Sequence, residues 1–244
     1  MVDKIIRATS IRPAASDANG NGPGRTVALA GATGLVGREI LLGLLADNSV
    51  ASVHSLGRRP LDVQHPKLVS HVVDFTALPT LQAFDETYLA LGTTIKIAGS
   101  QAAFRAVDFD ANLAVARAIL AAGCRRLGLV SAMGADAQSS VFYNRVKGEL
   151  EQALATLDFE ALVIARPSLL IGDRNVLGQP SRAGETIGKY VSTMLRPLIP
   201  SNFRAIAAID VAQALLARVP VAQGREVLLS GAMQGKGSHA GKLR

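Results

Sequence analysis

Hydrophobic and polar positions along this chain alternate between two rhythms. Short apolar runs predict strands at Thr26–Ala30, Val50–Leu56, Leu68–Val73, Thr87–Leu91, Arg126–Ser131 and Ala161–Ala165. Between them apolar residues recur at helical spacing. Leu35–Ala46 puts Leu35, Ile40, Leu41, Leu44 and Leu45 on one face. Gln101–Ala122 is long and alanine-rich and stops at Gly123, the residue type favoured just past a helix end. Val141–Leu157 is a third helix. Strand and helix in turn predict an α/β fold: a doubly wound parallel sheet with right-handed crossovers and helices on both faces. No repeat at solenoid spacing interrupts this order.

After Pro167 the rhythm changes. Gly172–Ser181 reads as loop, Ala183–Leu195 as a helix broken by Arg196-Pro-Leu-Ile-Pro200, Ile209–Arg218 as a helix and Glu226–Leu229 as a last strand. That is too little for a second domain. The expectation is one domain over 26–230, with a small substrate-side elaboration at about 168–225. Residues 1–25, rich in Ala, Ser, Asn, Gly and Pro, read as a flexible arm, and 231–244 as a flexible tail.

Composition narrows the classes. The chain has 244 residues, 49% of them hydrophobic, so it can bury a large core. No apolar run reaches the roughly 18 residues of a membrane span, so no membrane partner is expected. A net charge of +7 raises nucleic acid as a partner. The cations gather at the ends, however. Lys4, Arg7, Arg12 and Arg25 face only Asp3 and Asp17 in the arm, and Lys236, Lys242 and Arg244 are unopposed in the tail. Tryptophan is absent and aromatics make up 4%, a poor supply for base stacking. Solvated basic ends are expected, not a nucleic-acid surface.

One cysteine, Cys124, rules out a disulfide within the chain and fits a reducing compartment. Between helix and strand it reads as a buried small hydrophobe more readily than a nucleophile. The arm lacks the apolar core of a signal peptide, and its two acids count against a transit peptide, so the expected location is cytoplasmic. His54, His65, His71 and His239 are scattered without helical pairing or a cysteine partner, and no metal site is expected.

Three segments carry candidate chemistry. The strand Val27-Ala-Leu-Ala runs into Gly31-Ala-Thr33-Gly34-Leu35-Val36-Gly37 and then a helix. Gly31 permits a sharp turn, Gly34 lets a pyrophosphate approach the backbone, and Gly37 allows close helix–sheet packing. The helix N-terminus offers free N–H groups and partial positive charge. The Rossmann-type dinucleotide site this implies has a second element at Leu56-Gly57-Arg58-Arg59. Where an acid would bind both ribose hydroxyls and favour NADH, two guanidinium groups suit a 2′-phosphate. The expected cofactor is therefore NADPH (NADP+), with NADH the lesser alternative. Asp74-Phe75 would lie near adenine, or Asp74 simply forms a turn. Leu91-Gly92-Thr93 and Thr94 end the fourth strand on the path to the nicotinamide.

The third segment is Tyr143-Asn-Arg-Val-Lys147. Spaced four apart on a helix, Tyr143 and Lys147 share a face, and a cation beside a phenol favours the phenolate. Tyr143 is then a candidate proton donor or acceptor at a carbonyl or alcohol. Ser131 ends the preceding strand, where its hydroxyl would bond the substrate oxygen. Arg166, Asp173 and Arg174 would either bind an anionic substrate group or stand solvated, and Tyr190 is equally ambiguous.

Taken together, GATGLVG, LGRR, LALGTT, LVSAMGA, YNRVKGELE and ARPSLLIG occur in the order seen in the atypical and extended short-chain dehydrogenases/reductases. Over roughly residues 26–230 the chain resembles their NmrA-like, Tat-interacting-protein-like NAD(P)H-binding members. The resemblance implies Ser131, Tyr143 and Lys147 as a catalytic triad. It implies Gly31, Thr33, Gly34, Leu35, Val36, Arg58 and Arg59 as cofactor contacts, with Pro167 and Ser168 closing over the nicotinamide. Asn112 falls where many relatives carry a fourth catalytic residue, or is an ordinary polar helix residue. The implied function is an NADPH-dependent oxidoreductase acting on a small carbonyl or alcohol, as a monomer or homodimer. Several members of the group keep the cofactor site as redox-sensing regulators, and that is the alternative.

Overall fold

The computed structural model describes residues 24–171 and 200–234. The arm up to residue 23, the loop and helix expected over 172–195, the tail from 235, and Asp173, Arg174 and Tyr190 lie outside the described residues.

β1 (Arg25–Ala30) begins one residue before the apolar run and takes Arg25 out of the expected arm. Arg25 is bound there by Asp47 at 2.6 Å and by the buried Glu86 at 2.5 Å. Burial raises the Glu86 carboxyl pKa, and the Arg25 charge opposes that rise. α1 (Leu35–Ala46) follows with the boundaries its periodicity predicts. Then come β2 (Val50–Gly57), β3 (Leu68–Val72) and β4 (Glu86–Leu89).

The helix expected over Gln101–Ala122 is not continuous. A short α2 (Ile95–Ala98) precedes it, capped by Thr94, whose hydroxyl accepts from the Ile97 N–H. α3 (Gln101–Arg105) runs into a π-helical turn over Ala106–Ala111, and α4 (Asn112–Ala121) completes it. The wide turn leaves carbonyls off the ordinary ladder, and Asn112 satisfies them. Its Nδ2 donates to the carbonyls of Val107 at 3.1 Å, Asp108 at 3.2 Å and Leu91 at 3.2 Å. β5 (Arg126–Val130), α5 (Phe142–Ala155) and β6 (Ala161–Arg166) match their patterns to within two residues.

Beyond Pro167 the structure adds β7 (Leu170–Ile171), β8 (Ile206–Ala207), α6 (Ala208–Arg218), β9 (Gly224–Leu229) and α7 (Ser230–Met233). Gly231–Met233 thus belong to a helix, not to the tail expected from residue 231.

Seven parallel strands form one sheet in the order β3-β2-β1-β4-β5-β6-β9, and β7 pairs with β8 in a separate parallel ribbon. Side chains alternate across the sheet. Val27 and Leu29 face one core with Ile40 and Leu44 of α1 and Val211 and Leu215 of α6. Ala28 and Ala30 face the other with Val115 and Ile119 of α4 and Leu150 and Leu154 of α5. With both faces covered, the central strands β1, β5 and β6 are mostly apolar, while the outermost strands β3 and β9 keep exposed positions. Cys124 lies in the second core, where burial pushes its thiol pKa up, so it packs as a hydrophobe. Among the described residues, no helix is long and apolar enough to cross a membrane.

Candidate active site

Crossing direction reverses between β1 and β4, so the C-terminal ends of these strands part to leave a crevice. A cavity of about 520 Å³ occupies it, lined from the ends of β1, β4, β5 and β6.

The glycine turn forms one wall. Gly31 has φ +94°, and a Cβ there would lie 2.5 Å from the Ala90 carbonyl. A Cβ on Gly37 would lie 2.0 Å from the Gly31 oxygen, so these two glycines let β1, β4 and α1 touch backbone to backbone. Gly34, in extended conformation, lines the cavity with Leu35 and Val36. Its N–H donates to the Gly31 carbonyl at 3.0 Å, and the first helical bond runs from Arg38 N–H to the Gly34 carbonyl at 2.9 Å. The amides between have no acceptor of their own within the helix. No side chain caps α1 and no acid stands in its first turn, so its positive end is unneutralised. Thr33 is exposed and does not line the cavity.

Arg58 and Arg59 follow β2, both exposed. Asp74 forms a turn: its Oδ1 accepts from the Thr76 N–H at 2.9 Å and hydroxyl at 2.8 Å, which holds its carboxyl below the usual range. Phe75 packs against the second core, and neither residue lines the cavity.

The opposite wall is made of side chains. Ser131, Tyr143 and Lys147 all line the cavity, and Tyr143 rests on buried Phe104 with ring centroids 5.4 Å apart. Each of the other two has a carboxylate partner that sequence reading missed. Lys147 Nζ lies 2.8 Å from Asp108 Oδ1, both side chains at most 5% exposed. Asp108 Oδ2 accepts from the Thr93 N–H at 2.8 Å, tying the end of β4 to the same pair. Ser131 Oγ donates to Glu151 Oε1 at 2.5 Å. Glu151 is in turn gripped by Arg166, at 2.6 Å through Nη2 and 3.0 Å through Nε, with Arg225 at 3.6 Å. Arg166 is therefore paired inside the protein and is neither an open anion site nor a solvated loop cation. Its contact with Glu151 raises its pKa further.

Glu151 left a readable trace. Tyr143, Lys147 and Glu151 are four apart in succession and form one stripe of α5. Asp108 had a fainter one, a polar pair with Asn112 on an otherwise alanine-rich helix. Asn112 fastens the π turn and does not line the cavity. Leu91, Gly92 and Thr93 line it. Buried Pro167 gives its carbonyl to the Met133 N–H at 2.8 Å. Ser168 lines the cavity, its N–H donating to Ser230 Oγ at 2.7 Å and its hydroxyl to the Arg204 carbonyl.

A glycine-wrapped helix start facing a Ser, Tyr and Lys at a strand switch point defines a Rossmann-fold protein of the short-chain dehydrogenase/reductase type. Solved structures agree on the fold: MoeE5 in complex with UDP-glucose and NAD superposes with a TM-score of 0.62 at 18% identity, covering 83% of this chain and 75% of that one. No family model matches the sequence. Curated relatives do. HTATIP2 of Rattus norvegicus is 34% identical over 199 residues, 79% of this chain and 80% of the relative. The mitochondrial protein fmp52 of Emericella nidulans is 35% identical over 179 residues, 69% and 75% of the two chains. The chain belongs to the HTATIP2/FMP52 family, the NmrA-like, Tat-interacting-protein-like group that its motifs resemble. The cytoplasmic location expected from the arm is overturned by these relatives, since the fungal members are named mitochondrial proteins.

Proposed function

We propose that this protein is an NADPH-dependent oxidoreductase that moves a hydride to or from a small carbonyl or alcohol substrate. The observation that carries it is the meeting of the two walls: the uncapped α1 start and Ser131, Tyr143 and Lys147 line the same cavity. The residues present fit a dinucleotide. Gly34 keeps side-chain atoms off the pyrophosphate position, the α1 amides supply donors, and exposed Arg58 and Arg59 would take the 2′-phosphate. When bound, the nicotinamide supplies hydride chemistry, and the chain's own residues do the rest. Tyr143 exchanges the proton at the substrate oxygen, and Lys147 holds the ribose beside it.

Ser131 has a direction built into it. Its single proton is given to Glu151, so its oxygen meets the cavity as an acceptor. A substrate alcohol can donate to it directly, whereas a carbonyl requires the Ser131 hydroxyl to leave Glu151. The test is coenzyme turnover across paired aldehydes and alcohols, ketones and quinones, with Tyr143→Phe as control. A 10²- to 10⁴-fold loss in kcat, the usual worth of a positioned acid or base, is expected. Unchanged turnover by Tyr143→Phe rejects the mechanism.

The spent Ser131 proton and the Asp108 counter-charge on Lys147 also favour a second reading, an NADP(H)-binding redox-sensing regulator with little turnover. Tight NADPH binding with no turnover on that panel, and a partner protein retained only with one redox form, would establish it. For the oxidoreductase reading, the partners proposed are a small molecule at the cavity and a second copy of the chain at most, with neither nucleic acid nor membrane; the regulatory reading adds a partner protein.

A further inference from the structure

Ser131 is held at both its backbone and its side chain. Its N–H donates to the Ala165 carbonyl at 2.8 Å and its hydroxyl to Glu151 Oε1 at 2.5 Å. Arg166, the next residue of β6, closes the circuit on the same carboxylate, through Nε at 3.0 Å and 3.2 Å and through Nη2 at 2.6 Å. Arg166 alone would satisfy Glu151 as a strut between α5 and β6, and the serine is an addition to that pair. Glu151 is 1% exposed and does not line the cavity, so whatever it does for a ligand it does through Ser131.

A serine hydroxyl has one proton to give and two lone pairs to offer. With the proton on a carboxylate, the oxygen meets the cavity as an acceptor, and turning the proton back breaks a hydrogen bond to a charged group. Tyr143, on the same wall, is the donor to the reacting carbonyl oxygen. The wall therefore presents one donor and one acceptor, not two donors. A simple ketone uses only the donor. An α-diketone sets a second lone pair against Ser131. A ketone with a hydroxyl on the adjacent carbon uses both groups, taking a proton from Tyr143 and sharing its own with Ser131.

We infer that Glu151 is a positioning residue that makes Ser131 a fixed acceptor, and that the substrate is an α-hydroxy carbonyl compound interconverted with a vicinal diol. This rests on the oxidoreductase reading. In the reducing direction the carbonyl carbon accepts hydride from the dihydronicotinamide and the carbonyl oxygen takes the Tyr143 proton. The products are the vicinal diol and the oxidised coenzyme, and the neighbouring hydroxyl keeps its own proton throughout. Arg166 serves the same end by holding the carboxylate against the serine.

Three ketones test it: 2-butanone has no neighbouring group, acetoin a hydroxyl and 2,3-butanedione a second carbonyl. Acetophenone, 2-hydroxyacetophenone and phenylglyoxal repeat the series on a larger skeleton. In the wild type, kcat/KM for acetoin exceeds that for 2-butanone about tenfold to a hundredfold, the worth of a hydrogen bond backed by a charged group. Glu151→Gln turns its amide oxygen to Arg166 and its nitrogen to Ser131, which frees the serine proton for the cavity. The acetoin advantage then disappears, and 2,3-butanedione gains on acetoin by a similar factor. Glu151→Asp keeps a carboxylate for Arg166 but draws it back from Ser131 by one methylene, and a smaller change in the same sense keeps the test open if Glu151→Gln does not fold. A mere strut would lower all three ketones together. That parallel loss, an unchanged acetoin advantage in both variants, or a wild type that prefers no hydroxy ketone in either series while turning over other carbonyl compounds overturns the assignment alone. A wild-type chain that turns over no carbonyl or alcohol overturns the oxidoreductase reading with it.

Discussion

On the β1–α1 side of the cavity, contact is backbone against backbone. Gly37 meets the Gly31 carbonyl, Gly31 meets Ala90, and no charged side chain takes part. On the β5–α5 side contact is made by charged side chains in matched pairs, Lys147 with Asp108 and Glu151 with Arg166. The two walls therefore fail in different ways. The first is sensitive to volume and indifferent to charge, and the second is the reverse. A backbone-built wall presents fixed donors to any phosphate, whereas a wall of buried ion pairs is held in place only while every charge has its partner.

The comparison breaks most sharply at Lys147. Lys147→Met leaves the Asp108 carboxylate buried and uncompensated, and a loss of about 3–5 kcal/mol in unfolding free energy is expected from chemical denaturation. Asp108→Leu/Lys147→Met recovers most of it, because two apolar residues replace the pair. If the double variant is no better than the single, the second wall is not limited by charge.

Gly37→Ala comes next. Its methyl cannot fit at 2.0 Å from a carbonyl oxygen, so α1 shifts, with about 1–3 kcal/mol lost and dinucleotide binding weakened. A charge-neutral change in the first wall is thus expected to harm binding as much as a charge change in the second.

Smaller again is Arg58→Ala/Arg59→Ala. NADPH affinity falls about tenfold, to the level of NADH, with folding unchanged since both residues are exposed. Equal wild-type affinities for the two coenzymes would remove the phosphate argument.

The smallest effect sharpens the first wall's indifference to charge. Behind it, on β2, buried His54 bonds His71 at 2.9 Å and Gln82 at 3.1 Å. Burial, then the neighbouring His71, lowers its pKa from 6.5 to about 4. Folding thus favours the neutral ring. Its contribution is present above pH 6.5 and is lost as pH falls toward about 4, so Tm drops across that window. In His54→Gln that slope flattens. If it does not, the acid sensitivity belongs to the ion pairs of the second wall.

Much of this was readable from the chain. The turn at Gly31–Gly37 and the helix at Leu35–Ala46 are local, since glycine spacing and apolar periodicity need no distant partner to express themselves. The triad was readable for the same reason, as spacing on one helix. What escaped depends on contacts far along the sequence. The π turn exists because Asn112 finds the Leu91 carbonyl, and Asp108 matters because Thr93 and Lys147 come to it. Glu151 is defined by Ser131 and Arg166. β7 and β8 are two residues each and exist only through one another, too short for any periodicity to mark.

The π turn at Ala106–Ala111 has a consequence for how the chain tolerates change. A wide turn inserts one residue into a helix, so everything before it is rotated by about 100° relative to an uninterrupted helix. Deleting a single alanine there would heal the helix without disturbing its hydrophobic content. It would also swing Phe104, the support of Tyr143, and Asp108 out of phase with α4. The arrangement of the second wall is thus set by phase as well as by composition, and one residue of length is enough to scramble it.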